Sequence, residues 1–211
     1  MKEADAPRVR LSPKDRKAMI LQGAVTYFAD HGFGAQLRDL AKALGVSPSL
    51  IFAYFKTKND LLEAVYEEVF GARWSEDWPA LLSNARRPLP ERLKAFYRSY
   101  LAIVDDRNWI RIAMRASLDG EDLVGRYMSE HVEGLLTVMA LQVRKWLGER
   151  RRGGPSAAET ERVWRLHATA IYYLVRKHIH LGPVLEDRDA FVELMVDGFM
   201  RGLEGDRKGR A

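Results

Sequence analysis

The sequence predicts an all-α fold, with a small N-terminal three-helix domain built on a helix-turn-helix and a larger helical domain behind it. Three observations predict this. Helix-start devices recur ahead of apolar stripes at helical spacing. No alternating strand pattern of useful length occurs, and no internal repeat. Between residues 37 and 55, two short helical runs meet at a glycine in a pattern that suits a steep helix crossing.

Each element follows in order. Residues 1–11 are expected to form a disordered basic tail. Ser12-Pro13-x-Asp15 starts the first helix, with Ser12 as N-cap, Pro13 at the first position and Asp15 near the positive end of the dipole. That helix is expected to run to about Asp30, to bury Ala18, Leu21, Ala24, Val25 and Phe28, and to stop at His31-Gly32. A second helix spans about Leu37 to Leu44. The third starts from Ser47-Pro48, the same cap-and-proline device, and ends near Phe55. Thr57-x-x-Asp60 has capping-box spacing and opens a fourth helix through Leu61, Leu62, Val65 and Phe70.

After Gly71 the pattern weakens around Trp74, Trp78 and Pro79, and 86–90 is a further break. Helical stretches are expected at about 90–105, 108–117, 121–149, 157–181 and 187–203. Ser156-x-x-Glu159 caps the first of the last pair, and Gly182-Pro183 separates the two. The expected division is a helix-turn-helix domain over 12–56, a connecting helix over 57–70, a helical domain over 71–205 and a disordered tail over 206–211.

The second and third helices carry the chemistry. Ala41 is small and lies four positions before Gly45, while Ile51 is aliphatic and lies six positions after it. Two short helices crossing steeply need a small side chain at the crossing, a glycine to turn the chain and a branched aliphatic to plug the gap. Leu40 and Val46 complete this small core. Such a unit reads DNA.

Composition sets the outer limits. A chain of 211 residues is long enough for a real core. It has no cysteine, which rules out disulfides, cysteine-based zinc fingers and thiol chemistry and fits a reducing cytoplasm. The N-terminus is charged and polar, unlike a signal peptide, and no apolar run approaches the roughly 18 residues of a membrane span, so a soluble, cytoplasmic protein is expected. A net charge of +5 permits a polyanionic partner. Arg8, Arg10, Lys14, Arg16 and Lys17 lead into the helix-turn-helix and favour contact with a DNA backbone. Arg150-Arg151-Arg152, ahead of Gly153-Gly154-Pro155, reads as a solvated loop.

The segment Tyr54-Phe55-Lys56-Thr57-Lys58-Asn59-Asp60-Leu61-Leu62, preceded by Gly45-Val46-Ser47, resembles the signature of the TetR/AcrR family of bacterial transcriptional regulators. The resemblance extends back through Ile20-Leu21, Ala24, Phe28 and His31-Gly32-Phe33 and covers about residues 16–69. It implies that the third helix enters the major groove. Ser47, Pro48, Ser49, Leu50, Phe52, Ala53 and Tyr54 are its candidate contacts, with Gln36, Leu37 and Arg38 from the second helix. The serine hydroxyls suit phosphates or base edges, Leu50 and Ala53 suit thymine methyls, and Tyr54 matches the family's phosphate-contacting aromatic. Lys58 opposes the dipole of its own helix, at a cost of roughly 0.3–1 kcal/mol. That placement makes sense where a phosphate docks at the helix start.

Two positions depart from the family. Ala35-Gln36 stands where most members have a threonine or serine at the start of the second helix, in a loop that is about one residue shorter. Gln36 is then the candidate for the missing polar contact. Phe52 stands where the family usually carries tyrosine, and packing and contact both remain open for it. With Leu50, Phe52 and Ala53 on the recognition helix, specificity is expected to lean on apolar and shape-based reading.

The resemblance further implies a homodimer on a palindromic operator, usually as a repressor, released by a small apolar or aromatic effector. The effector is expected among Trp109, Met114, Tyr127, Leu135, Met139, Trp164, His167 and Tyr172, although plain core is the other reading of such residues. The dimer interface is expected on Ala170, Leu174, His178, Phe191, Leu194, Met195, Gly198 and Gly202, with burial inside one subunit as the other reading. No cofactor, metal or membrane partner is expected. No nucleotide-cradling glycine loop, Gly-x-Ser-x-Gly elbow or cysteine nucleophile occurs, so an enzyme is not expected. His178-x-His180 is a poor metal pair, because helical residues two apart diverge. The competing function is a helical adaptor with weakened DNA binding.

Overall fold

The computed structural model describes residues 11–120 and 122–208, the last three of these in their backbone only. Among the described residues it is all-helical, so the expected class holds. The order is α1 (Pro13–His31), α2 (Leu37–Ala43), α3 (Pro48–Tyr54), α4 (Lys58–Val69), α5 (Trp78–Ser83), α6 (Leu89–Val104), α7 (Arg107–Asp119), α8 (Leu123–Tyr127), α9 (Glu133–Trp146), α10 (Ala157–His178) and α11 (Arg188–Lys208).

The starting devices form as the sequence requires. Ser12 accepts from the Asp15 N–H at 3.2 Å, with Pro13 in the first turn. Thr57 with Asp60 and Ser156 with Glu159 close reciprocal capping boxes. The core stripe of α1 is Ile20, Ala24 and Phe28, flanked by Val25 and Ala29. Ala18 is exposed and Leu21 only half-buried, which corrects the expected stripe by rotating it around the helix.

Other differences have local causes. α5 is too short, at six residues, to register as a periodic pattern. It is held by burial of Trp78 and Leu82 and by the Trp78 Nε1–H donating to Ser99 Oγ at 3.0 Å. The single helix expected over 121–149 is α8 and α9 joined through a π-helical turn at Met128–Val132, where His131 stacks on Trp74. α10 stops at His178, and α11 continues to Lys208, past the expected end near 203. The tail expected from 206 is therefore helical in its first three residues. Residues 1–10 and 209–211 of the two expected tails lie outside the described residues.

One hydrophobic core runs from Ile20 through Leu203 without a break at the expected domain boundaries. α1 packs on α7, and side chains tie α4 to α8 and the π turn. There Tyr66 donates to Glu130 at 2.7 Å, while Arg126 stacks on the Tyr66 ring and pairs with Glu63 at 2.9 Å. α6 is tied to α11 by Lys94 with Asp197 at 2.8 Å and by Lys94 and Arg98 with Glu193. Deeper, Arg144 pairs with Glu159 and donates at 2.8 Å to the Gly153 and Gly154 carbonyls, which fixes the loop between α9 and α10. Arg151 joins Glu159 at 3.5 Å, while Arg150 and Arg152 are exposed.

His167 is 1% exposed, and burial pushes its pKa down from 6.5 to about 4. The folded imidazole is neutral where the unfolded one binds a proton. Stability is thus full above pH 6.5, falls as pH drops toward 4, and levels off below, a loss of about 3 kcal/mol from this group. Urea unfolding between pH 7 and 4 should lose this one-proton slope in His167→Leu. An unchanged slope would place the proton elsewhere.

Candidate nucleic-acid interface

α2 closes on Gly45, whose φ of +64° is the left-handed conformation that ends a helix. The Gly45 N–H bonds to the Lys42 carbonyl at 3.1 Å and the Val46 N–H to that of Ala41 at 3.0 Å, the paired bonds of a Schellman turn. Ser47 then caps α3 by accepting from the Leu50 N–H at 3.2 Å, and its hydroxyl also meets that of Ser49 at 2.9 Å. Leu40, Ala41 and Ile51 are buried at the crossing, with Val46 at its edge.

This geometry decides which side chains face outward. Ser47, Pro48, Ser49, Phe52 and Ala53 are exposed, whereas Leu50 and Tyr54 are half-buried against the core. Gln36, Leu37 and Arg38 from α2, Pro48 and Phe52 from α3 and Lys58 from α4 line one open groove with Gly34 and Ala35. Ser47, Ser49, Leu50, Ala53 and Tyr54 are not part of that lining. Phe52 is 43% exposed, so it is a groove side chain rather than a core one.

The starts of α2 and α4 differ. Gln36 caps α2 with its backbone alone: its carbonyl accepts from Asp39 and Leu40, and its side chain makes no cap bond. At α4 the Thr57 N–H bonds to Asp60 Oδ2 at 2.9 Å and the Asp60 N–H to Thr57 Oγ1 at 3.0 Å. Lys58 is half-buried, and its ammonium donates to the Phe33 carbonyl. It is not a freely solvated lysine. Two of its three donor positions remain after that bond.

Phe33 is also held from the other side. Its N–H donates to Asp119 Oδ2 at 2.7 Å, at the end of α7. Asp119 is the last of four residues at four-residue intervals along α7, after Arg107, Arg111 and Arg115. Arg107 pairs with Asp30 at 2.7 Å, Arg111 donates to the Ala29 carbonyl at 3.1 Å, and Arg115 donates to that of Asp30 at 2.9 Å. Cations therefore sit on the negative end of α1. The hydrogen bond from Arg107 holds the Asp30 carboxyl below its usual range, against the opposing effect of partial burial. This stripe was not singled out from the sequence, although its regular spacing was there to find. Nearby, Lys17 lies over the Phe55 ring at 5.5 Å, while Arg8 and Arg10 lie outside the described residues.

The residues expected elsewhere separate into groups. Trp109, Tyr127, Leu135, Met139 and His167 are buried, and Trp164 is half-buried. Met114 and Tyr172 do not join them: they are 36% and 56% exposed, because they sit on outward faces of α7 and α10. Among the expected interface residues, Ala170, Leu174 and Met195 are buried inside the subunit, and His178 is bound to Asp105 at 2.7 Å. The apolar stripe of α10 is thus core. The outward face of the α10–α11 pair carries Arg165, Thr169, Tyr172 and Arg176 with Phe191, Leu194, Gly198 and Gly202. Its mixed polarity hid it from a search for apolar periodicity. Among the described residues no group of three or more His, Cys, Asp or Glu side chains is placed to hold a metal, and no helix is long and apolar enough to cross a membrane.

The family model described as bacterial regulatory proteins, tetR family, matches residues 20–65. The chain is 28% identical to the HTH-type transcriptional regulator BetI of Rhizobium meliloti, over 96% of this chain and 97% of that protein. It is 30% identical to the HTH-type transcriptional repressor KstR2 of Mycolicibacterium smegmatis over 46% of this chain, spanning about half (48%) of that protein's length. Its fold is similar to a TetR-like transcriptional regulator from Rhodococcus sp. RHA1, with a TM-score of 0.67 and 19% identity over 93% and 100% of the two chains. It is also similar to the fatty acid degradation regulator FadR from Bacillus halodurans, with a TM-score of 0.64 and 18% identity over 92% and 98%.

Two glycines test the joint. A methyl added at Gly45 meets open space, so Gly45→Ala should cost only backbone strain of about 1–2 kcal/mol. At Gly32 (φ +80°, ψ 176°) the backbone is one reserved for glycine, and a Cβ would lie 2.6 Å from Asp119 Oδ2. Gly32→Ala should therefore cost more, about 3 kcal/mol. Urea unfolding of both variants checks the order, and equal losses would show that Asp119 moves aside freely.

Proposed function

Because the chain belongs to the TetR family of bacterial transcriptional regulators, we propose that it is a repressor that binds an inverted-repeat operator as a homodimer and is released by a small molecule. The observation that carries the reading is the open groove in which Gln36, Arg38, Pro48, Phe52 and Lys58 meet beside the exposed start of α3. A groove with two cations and an exposed aromatic ring suits a phosphate backbone beside base edges. Arg38 and two free donor positions of Lys58 take phosphates. Ser47 and Ser49 reach phosphate or base edges, Ala53 and Phe52 meet thymine methyls, and Tyr54 supplies a hydroxyl from the flank of α3. Gln36, free of capping duty, supplies the polar contact of α2.

One such unit covers too little DNA to be selective, so two copies act over two half-sites. The outward face of α10 and α11 is the proposed interface. Tyr172 and Leu194 are its exposed apolar side chains, and Gly198 and Gly202 allow close approach of a second copy. Release follows by population shift: a ligand that favours a body shape with a different spacing of the two α3 helices lowers DNA affinity.

Selection of bound fragments from the source genome, with purified protein at near-physiological salt, tests the reading. A short inverted repeat at a promoter is the expected product, and recovery of no sequence would favour the adaptor reading. Lys58→Met should weaken operator binding about tenfold and lower the salt slope by about one. A lower affinity with an unchanged slope would leave Lys58 only its bond to Phe33. Leu194→Glu should convert the dimer to monomer in light scattering, and a persistent dimer would move the interface elsewhere.

A further inference from the structure

His167 is out of place in a core built for packing alone. Neither ring nitrogen has a hydrogen-bond partner, although the side chain is 1% exposed. Its neighbours are rings: Tyr100 at 5.3 Å, Trp164 at 5.8 Å and Tyr97 at 6.3 Å between centroids. The buried Tyr100 hydroxyl interacts with the Tyr127 hydroxyl but forms no hydrogen bond of ordinary geometry. The Tyr97 hydroxyl reaches only the Met139 sulfur, at 3.9 Å. A leucine at 167 would fill this space without leaving polar atoms unpaired, so the unpaired atoms call for a partner.

The chemistry of the node narrows that partner. A neutral imidazole offers one donor and one acceptor, and a tyrosine hydroxyl offers the same pair. Burial keeps the imidazole neutral. The buried charges of the helical body are engaged elsewhere, Arg92 with the Leu82 carbonyl and Gln142, and Arg144 with Glu159. A charged guest would thus be desolvated without a counter-charge, whereas an uncharged polar head would satisfy the node.

We propose that His167 and Tyr100 form the polar end of a ligand site inside the helical body, which takes a molecule with an apolar or aromatic body and an uncharged hydrogen-bonding head. This rests on the reading of the chain as a ligand-released regulator and names the class of its ligand. Met139, an unbranched and adaptable side chain, is the group that gives way. Trp164, one turn before His167 on α10 and half-buried, is the node's most exposed ring.

Phenol is the smallest probe with both features; benzene lacks the head, and benzoate and benzylammonium carry a charge. Each is titrated into the full-length protein labelled with ¹⁵N-histidine, with the His167 ring signals assigned from His167→Leu and DNA affinity read in parallel. Phenol should move those signals and bind at least about tenfold tighter than the other three. In Tyr100→Phe, which removes one oxygen, its advantage over benzene should shrink to about threefold or less. Equal binding of phenol and benzene, or tighter binding of benzoate, would overturn the proposal and leave ligand release standing. Hydrogen-bonded His167 signals that no probe moves would mean that water alone fills the node, which also overturns it. Phenol at His167 with unchanged DNA affinity would establish the site and count instead against release.

Discussion

The backbone of Phe33 is held on both sides, and the placement of the proposed DNA-facing groove depends on it. Asp119 on α7 takes its N–H, and Lys58 at the start of α4 takes its carbonyl. Phe33 is itself fully buried and stacks on Phe28 of α1. Three elements therefore converge on one residue, immediately before the turn that launches α2. A shift of α7 cannot leave that turn where it is, because a buried peptide group that loses its partner costs about 1–3 kcal/mol. The arginine stripe on α7 extends this grip over the last turn of α1.

This grip connects the helical body to the groove. α7 contributes buried Trp109, Ile110 and Ile112 to the interior and its exposed polar end to Phe33, so it reads the packing of one and sets the position of the other. Packed cores switch between discrete arrangements rather than deform smoothly. A guest that repacks the aromatic interior would thus displace the groove as a unit. The proposed recognition surface fits this picture, since a readout by shape and methyl contact would be sensitive to small errors in docking.

Much of the fold was legible because helix starts carry local chemistry. Ser12-Pro13, Ser47-Pro48, Thr57 with Asp60 and Ser156 with Glu159 each act within four residues, and each forms. The crossing of α2 and α3 was equally legible, because Ala41, Gly45 and Ile51 answer one local steric problem. What escaped is long-range. α5 exists only because Trp78 and Leu82 find α6 and α9. The outward face of α10 was misread because apolar spacing marks burial, and Ala170 and Leu174 are buried within the subunit itself. The role of Asp119 depends on a partner 86 residues away, which no local pattern announces.

Asp119 is the residue through which the helical body positions the proposed DNA-facing groove. The most direct measurement is the affinity of Asp119→Ala for the operator recovered from the genome, beside its thermal unfolding. Binding should weaken about tenfold, while unfolding stays a single cooperative transition at a somewhat lower temperature. Unchanged affinity would contradict it, and would mean that the groove is set by the α1–α4 packing alone.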